Sequence, residues 1–167
     1  MLGRGEAVRV EVLPMRAGYT MPAYHSAGAA GLDLAACLDD GPIELAPGQI
    51  TLAPCGFAIA IPNGFEAQVR PRSGLATRHG ITLPNAPGTI DSDYRGEVCV
   101  PLINLGKQPF VIEHGMRIAQ MIIAPVSHAT LQVVSTLSET DRGSNGFGST
   151  GLQVAVSSPT STGADPR

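Results

Sequence analysis

Glycine and proline interrupt this chain so often that no long helix has room to form. Twenty glycines and fourteen prolines are spread through 167 residues, and the apolar runs between them are short. Each Gly inside a helix costs about 1 kcal/mol and each Pro about 3 kcal/mol relative to Ala. Short apolar runs bounded by such residues are instead the pattern of many strands joined by turns. Val8, Val10 and Val12 alternate on one side of a strand over residues 8–13. A Gly/Ala-rich loop over 18–30 leads into Gly31-Leu32-Asp33-Leu34. Further strands are expected over 50–53, 57–61, 65–69, 81–83, 98–103, 109–112, 118–124 and 131–134, with Pro47-Gly48 and Pro62-Asn63-Gly64 as turns. One short helix is expected at Ser73–His79, with Ser73 suited to capping its start and Gly80 stopping it. Roughly ten strands, with turn signals about every eight to twelve residues, favour a closed or double-layered all-β fold over a βαβ arrangement.

Only 4% of the residues are aromatic and there is no Trp, so the core must be built from Val, Ile, Leu and Ala. A hydrophobic fraction of 43% against 15% charged places the chain among globular proteins. Its length suits one domain, expected over 1–141, followed by a Gly/Ser-rich arm over 142–152 and a disordered tail over 153–167. The net charge of -3 offers no broad basic surface, so no nucleic-acid partner is expected. A small anionic substrate remains open, because a few arginines and a divalent cation hold phosphates even in an acidic protein. No apolar run approaches the roughly 18 residues of a membrane span, and residues 1–6 lack the apolar stretch of a signal peptide. Cys37, Cys55 and Cys99 are odd in number and widely spaced, reading as small buried residues in a reducing cytoplasm.

Polar residues concentrate in a few places. The densest runs from Asn85 to Glu97 and contains Asp91, Asp93, Tyr94 and Arg95. It reads either as an ordinary hairpin or as a catalytic loop. On extended chain Asp91 and Asp93 would share a face with Tyr94 opposite, setting a water-activating carboxylate beside a stackable ring. Pro71-Arg72-Ser73-Gly74 precedes the helix, where free N–H groups and a guanidinium suit an anion; an ordinary helix start with a solvent-exposed Arg is the alternative. Arg142-Gly143-Ser144-Asn145-Gly146-Phe147-Gly148-Ser149-Thr150-Gly151 has the composition of a phosphate-cradling loop or of a linker, and a lone Phe147 argues against the linker. Asp33 is either a structural carboxylate or one that holds hydrated Mg2+, and Gln120 sits in an apolar strand where it must find partners. The four histidines show no metal-ligand spacing.

Five segments, in this order, resemble the five motifs of the trimeric dUTP pyrophosphatase family: Ala30-Gly31-Leu32-Asp33-Leu34, Pro71-Arg72-Ser73-Gly74-Leu75-Ala76, the Asn85 to Glu97 cluster, Arg117-Ile118-Ala119-Gln120, and Arg142 to Gly151. The resemblance covers about residues 8–152, with no departure at a motif position. It implies a jelly-roll-like β-barrel or sandwich, assembled as a homotrimer whose sites are shared between subunits. The implied reaction is hydrolysis of dUTP to dUMP and pyrophosphate, which keeps uracil out of DNA and supplies dUMP for dTMP synthesis. By the same resemblance Asp91 activates the attacking water and Tyr94 packs on the deoxyribose. Asn85, with backbone groups of Thr89, Ile90 and Cys99, reads the uracil edge. Arg72, Ser73, Gly74 and Gln120 contact the phosphates, and Asp33 positions Mg2+ through water. Arg142, Phe147, Gly148 and Ser149 form the closing arm. Two rivals are a dCTP deaminase on the same fold and a non-catalytic nucleotide-binding protein.

Overall fold

The computed structural model describes residues 7–146. Contacts divide the chain into two compact units, with the boundary between His128 and Ala129. Among the described residues the regular structure all lies in the first unit, in chain order β1 (Glu11–Pro14), β2 (Leu32–Ala35), β3 (Ile43–Leu45), β4 (Ile50–Ala60), β5 (Phe65–Pro71), α1 (Ser73–His79), β6 (Ile81–Thr82), β7 (Gly88–Ile90), β8 (Glu97–Asn104), β9 (Phe110–Ile112) and β10 (Arg117–Pro125). Two four-stranded antiparallel sheets, ordered β1-β4-β8-β6 and β2-β10-β5-β7, are accompanied by the small separate pair β3-β9. This is the expected jelly-roll-like β architecture with one short helix.

Alternation builds the core. Along β8, Val98, Val100, Leu102 and Asn104 are buried while Glu97, Cys99, Pro101 and Ile103 face outward. Leu34, Ala53, Phe57, Ile59, Ala67, Val69, Ile81, Ile112, Ile118 and Met121 meet these in one cluster. Phe57 is the largest fully buried side chain, so the interior is indeed aliphatic. Asn104 is wholly buried and fully satisfied: Nδ2 donates to the Leu45 and Gln108 carbonyls at 2.8 Å each, and Oδ1 accepts from the Gly106 N–H at 2.8 Å. It ties the end of β8 to β3 and to the following turn.

Several expectations change. The strands expected over 50–53 and 57–61 are one strand, β4, whose pairing with β8 slips between Pro54 and Ala58. Pro54 cannot donate to the ladder, and Gly56, at φ 79, takes up the bulge. Only glycine fits there, since a Cβ would lie 2.7 Å from the Cys37 sulfur. The strand expected over 131–134 does not form. Leu131 and Val133, 92% and 100% exposed, have no ladder partner among the described residues, and alternation without a neighbouring strand makes no sheet. Strands β3 and β7 were not anticipated.

Candidate active site

Two of the sequence segments converge at the end of β5. Arg72 keeps extended backbone (φ -88, ψ 128) and occupies the cap position, without a side-chain capping bond. Ser73 is therefore the first helical residue and not the cap, because the extension of β5 carries one residue further. Gly80, left-handed at φ 71, closes α1 by donating to the Ala76 carbonyl at 3.1 Å. A cavity of about 480 Å³ beside this turn is lined by Asp33, Arg72, Ser73, Gly74, Arg78 and Gln120, among others. Strand register explains the gathering: Gln120 of β10 lies between Asp33 of β2 and Arg70 of β5, two residues before Arg72.

These residues brace one another. Asp33 holds Arg117 Nη1 at 2.9 Å, Arg72 Nε at 3.3 Å and His25 Nε2 at 3.2 Å. Arg72 Nη1 donates to the Arg117 carbonyl at 3.0 Å, which leaves Nη2 as the terminal nitrogen without a protein partner among the described residues. Gln120 Nε2 donates to the Pro71 carbonyl at 2.9 Å and so fixes the turn from below. Gly31 makes that rotamer possible, because a Cβ there would lie 2.7 Å from Gln120 Oε1.

The carboxylate of Asp33 does not fit as a direct ligand of Mg2+; the contact expected of it is one through water. Two guanidinium groups and an imidazole already occupy its oxygens. Among the described residues, no group of three or more His, Cys, Asp or Glu side chains could hold a metal ion.

The hairpin cluster forms a second cavity, of about 270 Å³, lined by Leu52, Thr89, Ile90, Asp91, Tyr94, Glu97, Val98 and Cys99. Strand β7 pairs with β5 and is the edge of its sheet, so its outer backbone groups have no ladder partner. Beyond it the chain is not extended, as the Asp91–Asp93 alternation assumed. A turn forms, with the Tyr94 N–H donating to the Asp91 carbonyl at 3.2 Å. Asp91 and Tyr94 consequently share the cavity, while Asp93 lines a neighbouring one with Asp91, Glu66 and His128. The Tyr94 hydroxyl donates to the Glu97 carbonyl at 3.0 Å, and Arg95 Nη1 donates to the Ser92 and Tyr94 carbonyls at 2.7 Å each. Gly96 is needed because a Cβ would lie 2.7 Å from Tyr94 Cζ. Asn85 does not line this cavity; its side chain packs beside Gly88, at the start of β7.

Sequence reasoning missed what supports this hairpin. Arg16 grips Glu97 through Nε (2.7 Å) and Nη2 (2.9 Å), and Glu97 also accepts the Gly56 N–H at 2.9 Å. Hydrogen bonding to Glu97, and then to Asp39, raises Arg16 above the usual guanidinium range. Burial pushes the Cys99 and Cys37 thiols up, and pushes Cys55 to about 12. No local signal links Arg16 to Glu97 across 81 positions. His25, one of the four histidines without metal-ligand spacing, contacts Asp33.

The two cavities share no lining residue, and strand register sets them at opposite ends of β5: Ile90 pairs with Ala67 near its start, while Arg72 follows its end. In the second unit, Arg142 Nε donates to the Asn145 carbonyl at 3.0 Å. Phe147, Gly148 and Ser149 lie outside the described residues. Among the described residues no helix is long and apolar enough to cross a membrane.

The family model for dUTPase matches residues 18–151. Deoxyuridine 5'-triphosphate nucleotidohydrolase of Rhizobium etli is 62% identical over 136 residues, covering 81% of this chain and 87% of that protein. The enzyme of the same name from Roseobacter denitrificans is 63% identical over 131 residues, covering 78% and 86%. Among solved structures, the dUTPase of Staphylococcus bacteriophage 80alpha with dUPNHPP superposes with a TM-score of 0.79 at 23% identity, covering 86% of this chain and 99% of that one. A mutant dUTPase of phage phi11 of S. aureus, described with a structural Mg(II) ion, superposes with a TM-score of 0.69 at 19% identity, covering 77% and 97%. A family match spanning most of the chain, with relatives above 60% identity, settles its kinship: the chain belongs to the dUTPase family.

Proposed function

We propose that this protein hydrolyses dUTP to dUMP and pyrophosphate, with water attacking the α-phosphorus. The observation that carries the reading is the meeting of Thr89, Ile90, Asp91, Tyr94 and Cys99 around one cavity, while Arg72, Ser73 and Gly74 line another. A base and sugar fit the first description, with a carboxylate at its rim; a phosphate chain fits the second. Asp91 accepts a proton from the attacking water. An oxygen–phosphorus bond then forms at the α-phosphorus as its bond to the bridging oxygen breaks, and pyrophosphate leaves. The unpaired edge of β7, with Cys99 and Asn85, suits the hydrogen-bonding edge of uracil. Tyr94 packs on the deoxyribose, where a ribose 2'-hydroxyl would collide.

On the phosphate side, Ser73, Gly74 and the remaining nitrogen of Arg72 offset negative charge, with Gln120 behind them. Mg2+, when bound together with the nucleotide, would offset part of the triphosphate charge. Because the two cavities are separate on one chain, the complete site requires a second copy, in keeping with a homotrimer. Residues 1–141 are read as the enzymatic domain. Segment 142–152 closes the site, with Arg142 on the γ-phosphate and Phe147, Gly148 and Ser149 over the base. Removal of dUTP keeps uracil out of DNA and yields dUMP for dTMP synthesis. Three unbridged thiols suit a cytoplasmic setting.

A pyrophosphate-release assay on dUTP, dCTP, dTTP and UTP, with and without Mg2+, tests the reading. Release from dUTP alone is expected. Ammonia from dCTP would instead favour a deaminase, and dUTP binding without turnover would favour a non-catalytic binder.

A further inference from the structure

We propose that Arg78, in the last turn of α1, is a further guanidinium, beside those of Arg72 and Arg142, offered to the outer phosphates of the nucleotide. The inference rests on reading the larger cavity as the triphosphate site.

Charge accounting around that cavity leads to Arg78. Arg117 is spent on Asp33 at 2.9 Å. Arg72 gives Nε to the same carboxylate at 3.3 Å and Nη1 to the Arg117 carbonyl at 3.0 Å. The two cations thus share one acidic partner and are held mainly by the protein. Arg78 lines the cavity and makes no ion pair or side-chain hydrogen bond among the described residues.

Helix geometry aims it at the same place as the turn. Gly74 and Arg78 are four apart, hence on one face, and helical side chains lean toward the helix N-terminus. Position 78 therefore lies on the same helix face as Gly74, and both residues line the cavity. Glycine within a helix is unfavourable relative to Ala. Yet the backbone angle at 74 is not left-handed, and a Cβ there would meet nothing within 4 Å. Packing within the chain does not demand a glycine. The bare backbone keeps the floor of the cavity open for an occupant from outside the fold, in the cavity that Arg78 also lines.

Complementing the helix C-terminus is the competing role for a basic residue in a last turn. That role would appear in thermal stability and would be blind to how many phosphates a ligand carries. The test therefore compares dUMP with α,β-imido-dUTP by calorimetric titration of the full chain as wild type, Arg78→Gln and Arg78→Lys. In Arg78→Gln the imido analogue is expected to bind about 10-fold more weakly, with dUMP affinity held within about 2-fold. Arg78→Lys, which keeps the charge, should recover most of the loss. Analogue affinity in Arg78→Gln within about 2-fold of wild type overturns the proposal, as does an equal loss for dUMP. Wild type that binds neither nucleotide overturns the triphosphate reading along with it; wild type that binds both, with Arg78→Gln indifferent, overturns only the part assigned to Arg78.

Discussion

Replacing Asp33 with asparagine keeps the side chain's shape, removes its charge, and turns one acceptor oxygen into an NH2 group facing a guanidinium. The carboxylate is only 16% exposed and holds Arg117 at 2.9 Å and Arg72 at 3.3 Å. Hydrogen bonds to charged groups contribute about 1.5–3 kcal/mol when shielded, while exposed ion pairs contribute about 0.2–1 kcal/mol. Arg117 is 47% exposed and the Arg72 contact is long, so both fall between those limits. A loss of about 2 kcal/mol is expected. It should be read by urea denaturation at fixed protein concentration, since assembly couples stability to concentration. The effect on ligands should be selective: α,β-imido-dUTP binds more weakly because the 71–74 turn is loosened, whereas dUMP binding, centred on the hairpin cavity, changes little. A variant as stable as wild type within about 0.5 kcal/mol, whose only defect is a higher Mg2+ requirement, would refute the reasoning and return Asp33 to a role at the metal.

Asp91→Asn should bind α,β-imido-dUTP like wild type while steady-state pyrophosphate release falls about 10²- to 10⁴-fold, the usual scale for losing a general base. Asn104→Leu strips partners from two carbonyls and one N–H in the core, and should lower stability by about 3 kcal/mol in the same denaturation assay. Cys55, whose folded thiol is pushed to about 12 from an ordinary value of 9.0, keeps its proton in the folded state where the unfolded chain loses it. Its contribution is complete below about pH 9 and is withdrawn as pH rises toward 12, at up to about 1.4 kcal/mol per unit. Wild type should therefore lose stability faster than Cys55→Ala above pH 9; parallel curves would contradict this.

Local chemistry in the sequence carried much of the outcome. Ser73–His79 is helical over the anticipated span because helix formers run up to a stopping glycine, although Arg72 and not the Ser73 hydroxyl takes the cap position. Asp91, Tyr94 and Cys99 reach one cavity because a single hairpin carries them. What could not be read was long-range or very short. β3 and β7 have three residues each, too few for alternation to register. β4 looked like two strands because Pro54 and Gly56 imitate a turn, and only pairing with β8 reveals the bulge. The Arg16–Glu97 and Arg117–Asp33 pairs span 81 and 84 positions, and no periodicity encodes them. Asp33 stood out as a polar residue among apolar ones, but its commitment to two arginines became visible only once β2 and β10 were side by side.

Mixing subunits puts the separation of the two cavities to its most direct test. Asp91→Asn removes the proposed base, and Gly74→Leu puts a side chain into the proposed phosphate cavity at a position where a Cβ meets nothing within 4 Å. Each variant alone should be inactive. If position 91 of one copy works with the 72–74 turn of another, co-assembled variants will regain about one quarter of wild-type pyrophosphate release, since a working site needs one defined parent at each of two positions. Co-assembled protein with no activity above either parent would contradict the account, placing residue 91 and that turn in the same subunit's site.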